Sequence, residues 1–173
     1  MSLIKPKKIP TLQDYLEFDG AYSPNLFKQT NDDWQCSSCR RTKFQIMRWT
    51  KRGATIEKSK GSFWGWMAAL HRHHDHSVHL DLNKEPRFPE TVICDQCNGA
   101  DGHVKYTLKL PDDFSFSPEE IKQFVIPTNH GKHQFDYERA KLIYENLTKP
   151  GSLTALLEEY RVRNQINPAV LQT

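Results

Sequence analysis

Long apolar segments are missing from this sequence. No stretch approaches the roughly 18 apolar residues of a membrane-spanning helix, and the mean hydropathy of the chain is −0.73. The N-terminus also lacks the apolar core of a secretory signal peptide. We therefore expect a cytoplasmic, intracellular protein without a membrane partner, in which cysteine thiols stay reduced.

A large excess of charge of one sign is missing as well. The 173 residues include 24 lysines and arginines against 21 aspartates and glutamates, which leaves a net charge of +3. A balance this small is compatible with nucleic acid as a partner but favours it only weakly. No internal repeat or low-complexity tract divides the chain. Its length suits one domain with a modest core, or a compact zinc core with helical additions.

Cysteine is scarce, but its four copies are paired. Cys36 and Cys39 form one C-x-x-C segment, and Cys94 and Cys97 form a second one far along the chain. In a reducing compartment this spacing favours zinc over disulfides, because four thiolates complete the tetrahedral coordination of a structural Zn²⁺ ion. The sequence therefore predicts one structural zinc site that joins two distant segments.

Histidine is concentrated just before the second cysteine pair. Five histidines fall within the nine residues 71–79, and the four cysteines leave them available for work other than zinc binding. We expect residues 71–80 to form one strand and residues 91–94 to form the next, with a proline-containing link between them. Residues 97–104 are expected to begin a helix.

This part of the chain carries a resemblance to a known family. It resembles the ββα-metal (HNH) nucleases in three runs: H-H-D-H over 73–76, C-D-Q-C-N over 94–98, and C-N-G-A-D-G-H-V-K over 97–105. Junction-resolving phage endonucleases of this family carry D-H-D-H before C-x-x-C-N-x-A-[DE]-G-x-x-K, and the colicin-type nucleases share the His-His pair. The resemblance implies a ββα-metal nuclease core.

The resemblance also implies roles for individual residues. His73 and Asn98 stand where the family has the two ligands of one catalytic divalent cation, Mg²⁺ or Mn²⁺, and His74 stands at the position of the general base. The asparagine that often orients the base is replaced by the run P-E-T over 89–91. His76 shares a strand face with His74 by alternation, so we expect it to help bind the phosphate.

Physical chemistry supports these roles by a separate route. Hydrolysis of a phosphodiester needs an activated water, a cation on the phosphate oxygens and help for the leaving oxyanion. Imidazole is largely neutral at neutral pH, so His74 can take a proton from water. Consecutive strand residues point to opposite faces, however, so a twist, bulge or strand end is needed if His73 and His74 are both to face Asn98.

A basic segment lies between the two cysteine pairs. We expect residues 43–57 to form a hairpin that turns at residues 51–53, and we expect the aromatic segment 62–70 to support the site as core. Arginine and lysine supply most phosphate contacts in DNA complexes. The predicted contacts to double-stranded DNA are therefore Arg48, Lys51, Arg52 and Lys105, with a merely solvated hairpin face as the alternative.

These expectations define an α+β fold in three parts. Residues 1–33 form an N-terminal arm and loops, residues 34–110 form the zinc-stabilised ββα-metal core with its basic hairpin, and residues 111–173 form a helical region. The core is the part that carries both the predicted zinc site and the predicted catalytic site.

The C-terminal part has clear helix signals. Ser117 is followed by proline and by Glu120, which is the pattern of a capping box. Residues 136–147 carry an amphipathic pattern, and Ser152 is expected to cap a last helix. The polar residues 128–134 suggest a mobile loop. Apolar helix faces are mostly buried within one chain, but we also expect them to form a homodimer contact.

The favoured function is a metal-dependent DNA endonuclease that uses the one-metal HNH mechanism, with a type II restriction endonuclease as the preferred member. A nicking or junction-resolving nuclease of a phage or mobile element is the alternative within this class. A non-catalytic zinc module that binds nucleic acid is the alternative from another class. It has no need of His73, His74 and Asn98 together, and incubation with plasmid, divalent metal and EDTA separates the two classes.

Overall fold

The computed structural model describes residues 8–18, 20, 24–53, 62–79 and 85–151, together with residues 156 and 160. Residues 1–7 of the expected N-terminal arm lie outside the described residues, and of the helix expected to begin at Ser152 only residues 156 and 160 are described. The side chain of Arg52 lies outside them too. Within the described part of the chain, no helix has the length and apolar character needed to cross a bilayer.

The fold is a mixed α+β fold, as predicted. Among the described residues the helices are α1 (Leu12–Leu16), α2 (Pro24–Gln29), α3 (Lys43–Ile46), α4 (Asp95–Leu108), α5 (Pro118–Phe124) and α6 (Tyr137–Thr148), with a 3₁₀ helix at His76–His79. The strands are β1 (Arg48–Gly53), β2 (Ser62–Met67), β3 (Leu70–His73), β4 (Thr91–Cys94), β5 (Val125–Ile126) and β6 (Gln134–Phe135). They pair antiparallel as β1–β2, β3–β4 and β5–β6.

Strands β3 and β4 and helix α4 form a strand–strand–helix unit. The register pairs His73 with Thr91, and the N–H of Asp95 at the start of α4 donates to the carbonyl of Ala69 at 2.9 Å. The prediction of a strand at residues 91–94 is confirmed. The predicted helix is confirmed as well, although it begins two residues before the expected start at 97.

The first strand of this unit is shorter than the predicted range 71–80. Strand β3 ends at His73, and a 3₁₀ helix follows. The buried carboxylate of Asp75 accounts for the change, because it accepts the backbone N–H groups of Ser77 at 3.1 Å and Arg87 at 2.8 Å. Burial acts to raise the pKa of Asp75, but the hydrogen bonds from Arg87 and Ser77 hold that pKa below its usual value.

The strand pair forms from residues that differ from the predicted hairpin over 43–57. Residues 51–53, expected to form the turn, lie inside β1, and the partner strand β2 comes from the aromatic segment that was expected to be core. Only part of that segment is core: Leu70 is fully buried, whereas Trp64 is 39% exposed.

Two local causes explain the observed hairpin. Thr42 and Gln45 bond each other's backbone and side chain as a capping box, which begins helix α3 and removes residues 43–46 from any strand. Across the strands, Trp49 pairs with Trp66, and their rings meet edge to face at 5.0 Å. Cross-strand aromatic pairs of this kind stabilise antiparallel sheets.

The C-terminal helices pack onto the same core as the strand–strand–helix unit. The predicted capping box of Ser117 and Glu120 is present and begins α5, and the amphipathic pattern at 136–147 corresponds to α6. One cluster of buried apolar side chains extends from the cysteines to the helices, including Cys94, Val104, Phe116, Ile121, Phe124 and Ala140. The hydrophobic core therefore continues across the expected boundary at residues 110 and 111.

Candidate functional site

The four cysteines meet in the interior as predicted. Their Sγ atoms all lie within 4.8 Å of one another, and every one of the four residues is buried. Cys36 and Cys39 belong to a tight turn closed by the N–H of Arg40, which donates to the carbonyl of Cys36 at 2.8 Å. Cys94 ends β4 and Cys97 lies in the first turn of α4. Thiols in this arrangement form a site for a metal ion such as zinc.

A buried arginine lies against this cysteine cluster. Arg41 is 2% exposed, its Nε donates to Cys39 Sγ at 3.4 Å, and its Nη2 lies 3.7 Å from Cys94 Sγ. Burial acts to lower the pKa of Arg41, but the hydrogen bond to Cys39 and the charges of Cys94 and Cys39 raise it above the usual value. A buried cation next to neutral thiols would lack compensation. The buried charge of Arg41 therefore fits four cysteines that are present as thiolates and hold a divalent ion.

The thiols themselves divide into two groups. The hydrogen bond with Cys39 acts to raise the pKa of Cys36, but the hydrogen bonds with Cys94 and Cys97 lower it. Hydrogen bonds from Cys36, Cys94 and Cys97 lower the pKa of Cys39 as well. The pKa values of Cys94 and Cys97 are raised, chiefly by their hydrogen bonds to Cys36 and Cys39. A bound cation removes this difference, because metal binding deprotonates all four sulfurs.

The polar segment 128–134 closes over the cluster instead of standing apart as a mobile loop. The carbonyl of Thr128 accepts from Arg41 Nη1 at 2.7 Å, and the N–H of His133 donates to Gln96 Oε1 at 2.9 Å. His133 is buried, with its Nε2 3.5 Å from Cys97 Sγ. Sequence reasoning missed Arg41 and His133. The position of Arg41 beside the first cysteine pair was the only local signal, and nothing in the spacing marked His133.

The structure brings His73 and Asn98 together. His73, the last residue of β3, is 2% exposed, and its Nδ1 lies 3.2 Å from Oδ1 of Asn98 on the first turns of α4. Its Nε2 lies 2.7 Å from the carbonyl oxygen of Phe116, and its ring stacks on Phe88 with the centroids 5.4 Å apart. Both nitrogens of this imidazole are therefore oriented by the fold.

The contacts of His73 assign its proton. A carbonyl oxygen only accepts, so Nε2 carries the hydrogen that is donated to Phe116, and in the neutral ring Nδ1 keeps its lone pair. That lone pair and Oδ1 of Asn98 then converge. Two converging acceptors suit a divalent cation, and a histidine ligand whose other N–H bonds a backbone carbonyl is the usual arrangement at metal sites.

His74 lies beyond the end of β3, so strand alternation does not fix the direction of its side chain. Its Nδ1 lies 3.3 Å from the carbonyl oxygen of Arg72 and donates a hydrogen bond to it. Nε2 therefore carries the lone pair. The carbonyl of Arg72 takes the orienting role for which the sequence offered no asparagine. His76 lies close by, with its ring centroid 5.2 Å from that of His74, through the turn rather than through strand alternation.

The structure distributes the predicted DNA contacts unequally. Lys51 is exposed on β1, and Arg52 has no described side chain. Arg48 is half-buried and forms an ion pair with both carboxylate oxygens of Asp95, at 2.5 and 3.2 Å. Lys105 is buried, contrary to the expectation of a surface contact, because its ammonium pairs with Asp101 inside the protein.

Comparison with models of known protein families, with characterised proteins and with solved structures finds no match to this chain. What the sequence and the structure offer is a four-cysteine cluster for a metal ion such as zinc, and beside it a second set of converging ligand atoms on a strand–strand–helix unit.

Proposed function

We propose that this protein is a metal-dependent DNA endonuclease of the ββα-metal (HNH) type. One observation carries the proposal. His73 at the end of β3 and Asn98 on α4 bring two ligand atoms, Nδ1 and Oδ1, within 3.2 Å of each other. The hydrogen bond from Nε2 of His73 to Phe116 leaves Nδ1 as the ligand atom. The motif of the family has its two metal ligands at these positions.

His73 and Asn98 are the residues that would hold the catalytic ion. Both are neutral, so water and the DNA phosphate complete the coordination, and the ion is expected to exchange readily in the absence of DNA. When bound, a divalent cation supplies Lewis-acid polarisation of a phosphate oxygen and stabilises charge on the leaving 3′ oxygen. This ion is separate from the structural zinc assigned to the four cysteines.

His74 is proposed as the general base and His76 as a phosphate-binding neighbour. The hydrogen bond from Nδ1 of His74 to the carbonyl of Arg72 leaves Nε2 as the basic nitrogen of the neutral ring. That nitrogen accepts the proton of the attacking water. His76 lies beside this ring and donates to the phosphate as the water attacks.

The four-cysteine cluster fixes the start of α4, the helix that carries Asn98. A zinc ion there would join the first cysteine turn to the start of α4, the helix in which Asn98 directly follows Cys97. The geometry of the catalytic ligands therefore depends on the occupancy of the cysteine site. In this proposal, double-stranded DNA is the substrate, and the exposed Lys51 on β1 contacts its backbone.

A type II restriction endonuclease acting as a homodimer is the preferred form of the proposal. The apolar residues Ala140 and Ile143 of α6 are buried within the chain, whereas Leu142 is 46% exposed on the same helix. We propose that this outer side of α6 contributes to the dimer. Light scattering of the protein, free and on DNA, tests it, and a monomer in both conditions contradicts it.

The decisive experiment is a plasmid assay with a matched set of variants. The wild type should cut in Mn²⁺ or Mg²⁺ and stop on addition of EDTA, and Asn98→Ala should not cut. His103→Ala is the control, because His103 lies on the same helix, is exposed and bonds Tyr137 instead of the site. Binding of plasmid without any metal-dependent cleavage would replace the nuclease by a non-catalytic zinc module.

A further inference from the structure

We propose that Asp101 and Lys105 are positioning residues for His73 and act through the backbone of Phe116. This inference rests on the proposed function. Asp101 and Lys105 are both buried, at 3% and 6% exposure, and form an ion pair of 3.0 Å one turn apart on α4. Neither side chain forms a hydrogen bond or ion pair with His73 among the described residues, so their effect on it is indirect.

The connection runs through both polar backbone groups of Phe116. The N–H of Phe116 donates to Oδ1 of Asp101 at 2.8 Å, and its carbonyl accepts the Nε2 proton of His73 at 2.7 Å. The phenyl ring is fully buried between Phe114 and Phe124, at centroid distances of 4.8 and 5.0 Å. Phe116 is therefore held on both sides, and its carbonyl can orient the imidazole.

Lys105 stabilises the buried carboxylate of Asp101. An ionised carboxylate away from water is costly unless it is paired and hydrogen-bonded. Besides the pair with Asp101, the ammonium of Lys105 donates to the carbonyl of Phe114 at 2.6 Å. The two side chains thus anchor the same short segment, 114–116, at two points.

One face of α4 organises the whole arrangement. Asn98, Asp101 and Lys105 are spaced three and four residues apart, which places them in one row along the helix. The helix that supplies one ligand directly therefore also orients the other ligand, His73, through Phe116. The consequence is that Phe116 selects the Nε2–H tautomer of His73 and presents Nδ1 beside Asn98.

Two double variants separate this role from general stability. Asp101→Asn with Lys105→Met removes the ion pair but keeps an oxygen acceptor for the N–H of Phe116. Asp101→Ala with Lys105→Met removes the ion pair and the acceptor together. Neither variant strands a buried charge, so both lose the same electrostatic interaction and differ at the bond to Phe116.

Two readouts follow His73 without reference to cleavage. The ¹⁵N chemical shifts of its ring in zinc-loaded protein without other divalent ions report the tautomer. Mn²⁺ binding measured by electron paramagnetic resonance, counting only the binding that Asn98→Ala abolishes, reports the ligand pair. We expect the Asn variant to keep the Nε2–H tautomer and the wild-type Mn²⁺ affinity. The Ala variant should lose the tautomer preference and bind Mn²⁺ about 10-fold to 100-fold more weakly.

Each outcome decides the inference. Wild-type behaviour of both variants overturns it, and so does an equal loss in both, because the acceptor for Phe116 would then be irrelevant. If the Ala variant does not fold, the wild-type spectrum still decides, since an Nδ1–H tautomer of His73 contradicts the proposal and an Nε2–H tautomer supports it. A third outcome separates the two proposals. If only the Ala variant loses the Nε2–H preference of His73, the positioning role is supported. If the wild type at the same time shows no Asn98-dependent Mn²⁺ binding, the proposed nuclease site is refuted.

Discussion

Arg41 and His133 are 92 residues apart in the chain, yet Nη2 of the arginine lies 3.0 Å from Nε2 of the histidine. A guanidinium only donates, so Nε2 of His133 accepts this bond. The pair closes segment 128–134 over the cysteine cluster, and the same guanidinium reaches the sulfurs of Cys39 and Cys94. The cluster is therefore enclosed by a cation and a neutral ring from two distant parts of the sequence.

The cysteine cluster should contain one tightly bound zinc ion per chain. Removal of the ion with a strong chelator is expected to unfold the protein, because the binding free energy of a structural zinc is folding free energy. Elemental analysis and near-ultraviolet circular dichroism before and after chelation measure this. Native protein that contains no zinc, or that contains disulfides between these cysteines, would refute the assignment.

Substitution of Arg41→Met should weaken zinc retention and stability. It removes the buried cation next to the thiolates and leaves their charge uncompensated, a loss of about 3–5 kcal/mol when one partner of a buried pair is removed. Thermal unfolding and the rate of zinc transfer to a chromogenic chelator are the measurements. The matched control is Arg40→Met at the exposed neighbour, which should change stability by no more than about 0.5 kcal/mol. Equal effects of both variants would contradict the role of Arg41.

His74→Ala should abolish cleavage while DNA affinity stays close to that of the wild type. The base acts in the transition state, so its loss is expected to reduce the cleavage rate by about 10²-fold to 10⁴-fold. Single-turnover cleavage and a binding titration in Ca²⁺ separate the two effects. A variant that cuts at the wild-type rate would show that another group activates the water.

The catalytic ion should be exchangeable, and the site should prefer Mn²⁺ to Mg²⁺. The imidazole of His73 is a softer ligand than a carboxylate, and Asn98 adds no charge, so a hard ion such as Mg²⁺ is held weakly. His73→Asp should shift the preference back toward Mg²⁺. Cleavage rates across a titration of each ion, in wild type and variant, measure the ratio. Full activity after mild EDTA treatment without added metal would be incompatible with this site.

Several local features were predictable because their signals lie within a few residues. The two C-x-x-C pairs needed only their own spacing and thiolate chemistry to predict a metal site. The capping box at Ser117 and Glu120 begins α5 through bonds three residues apart. The order of the histidine string, the second cysteine pair and Asn98 was enough to identify the side chains that the fold later brings together.

The remaining features depend on contacts between distant parts of the chain. Lys105 reads as an exposed helix lysine until Asp101 and segment 114–116 fold against it. Capping at Thr42 and pairing of Trp49 with Trp66 decided the hairpin register, and either signal alone was ambiguous.

The sequence by itself determined which residues are able to bind metal and activate water, because those abilities belong to thiol, imidazole and amide groups wherever they lie. Only the tertiary structure decided which nitrogen of His73 faces Asn98 and what closes the cysteine cluster. The acceptor for His73 is a backbone carbonyl 43 residues away, and every residue type carries that group. Its position is set by packing of Phe116 in the core, which no local pattern of residues encodes.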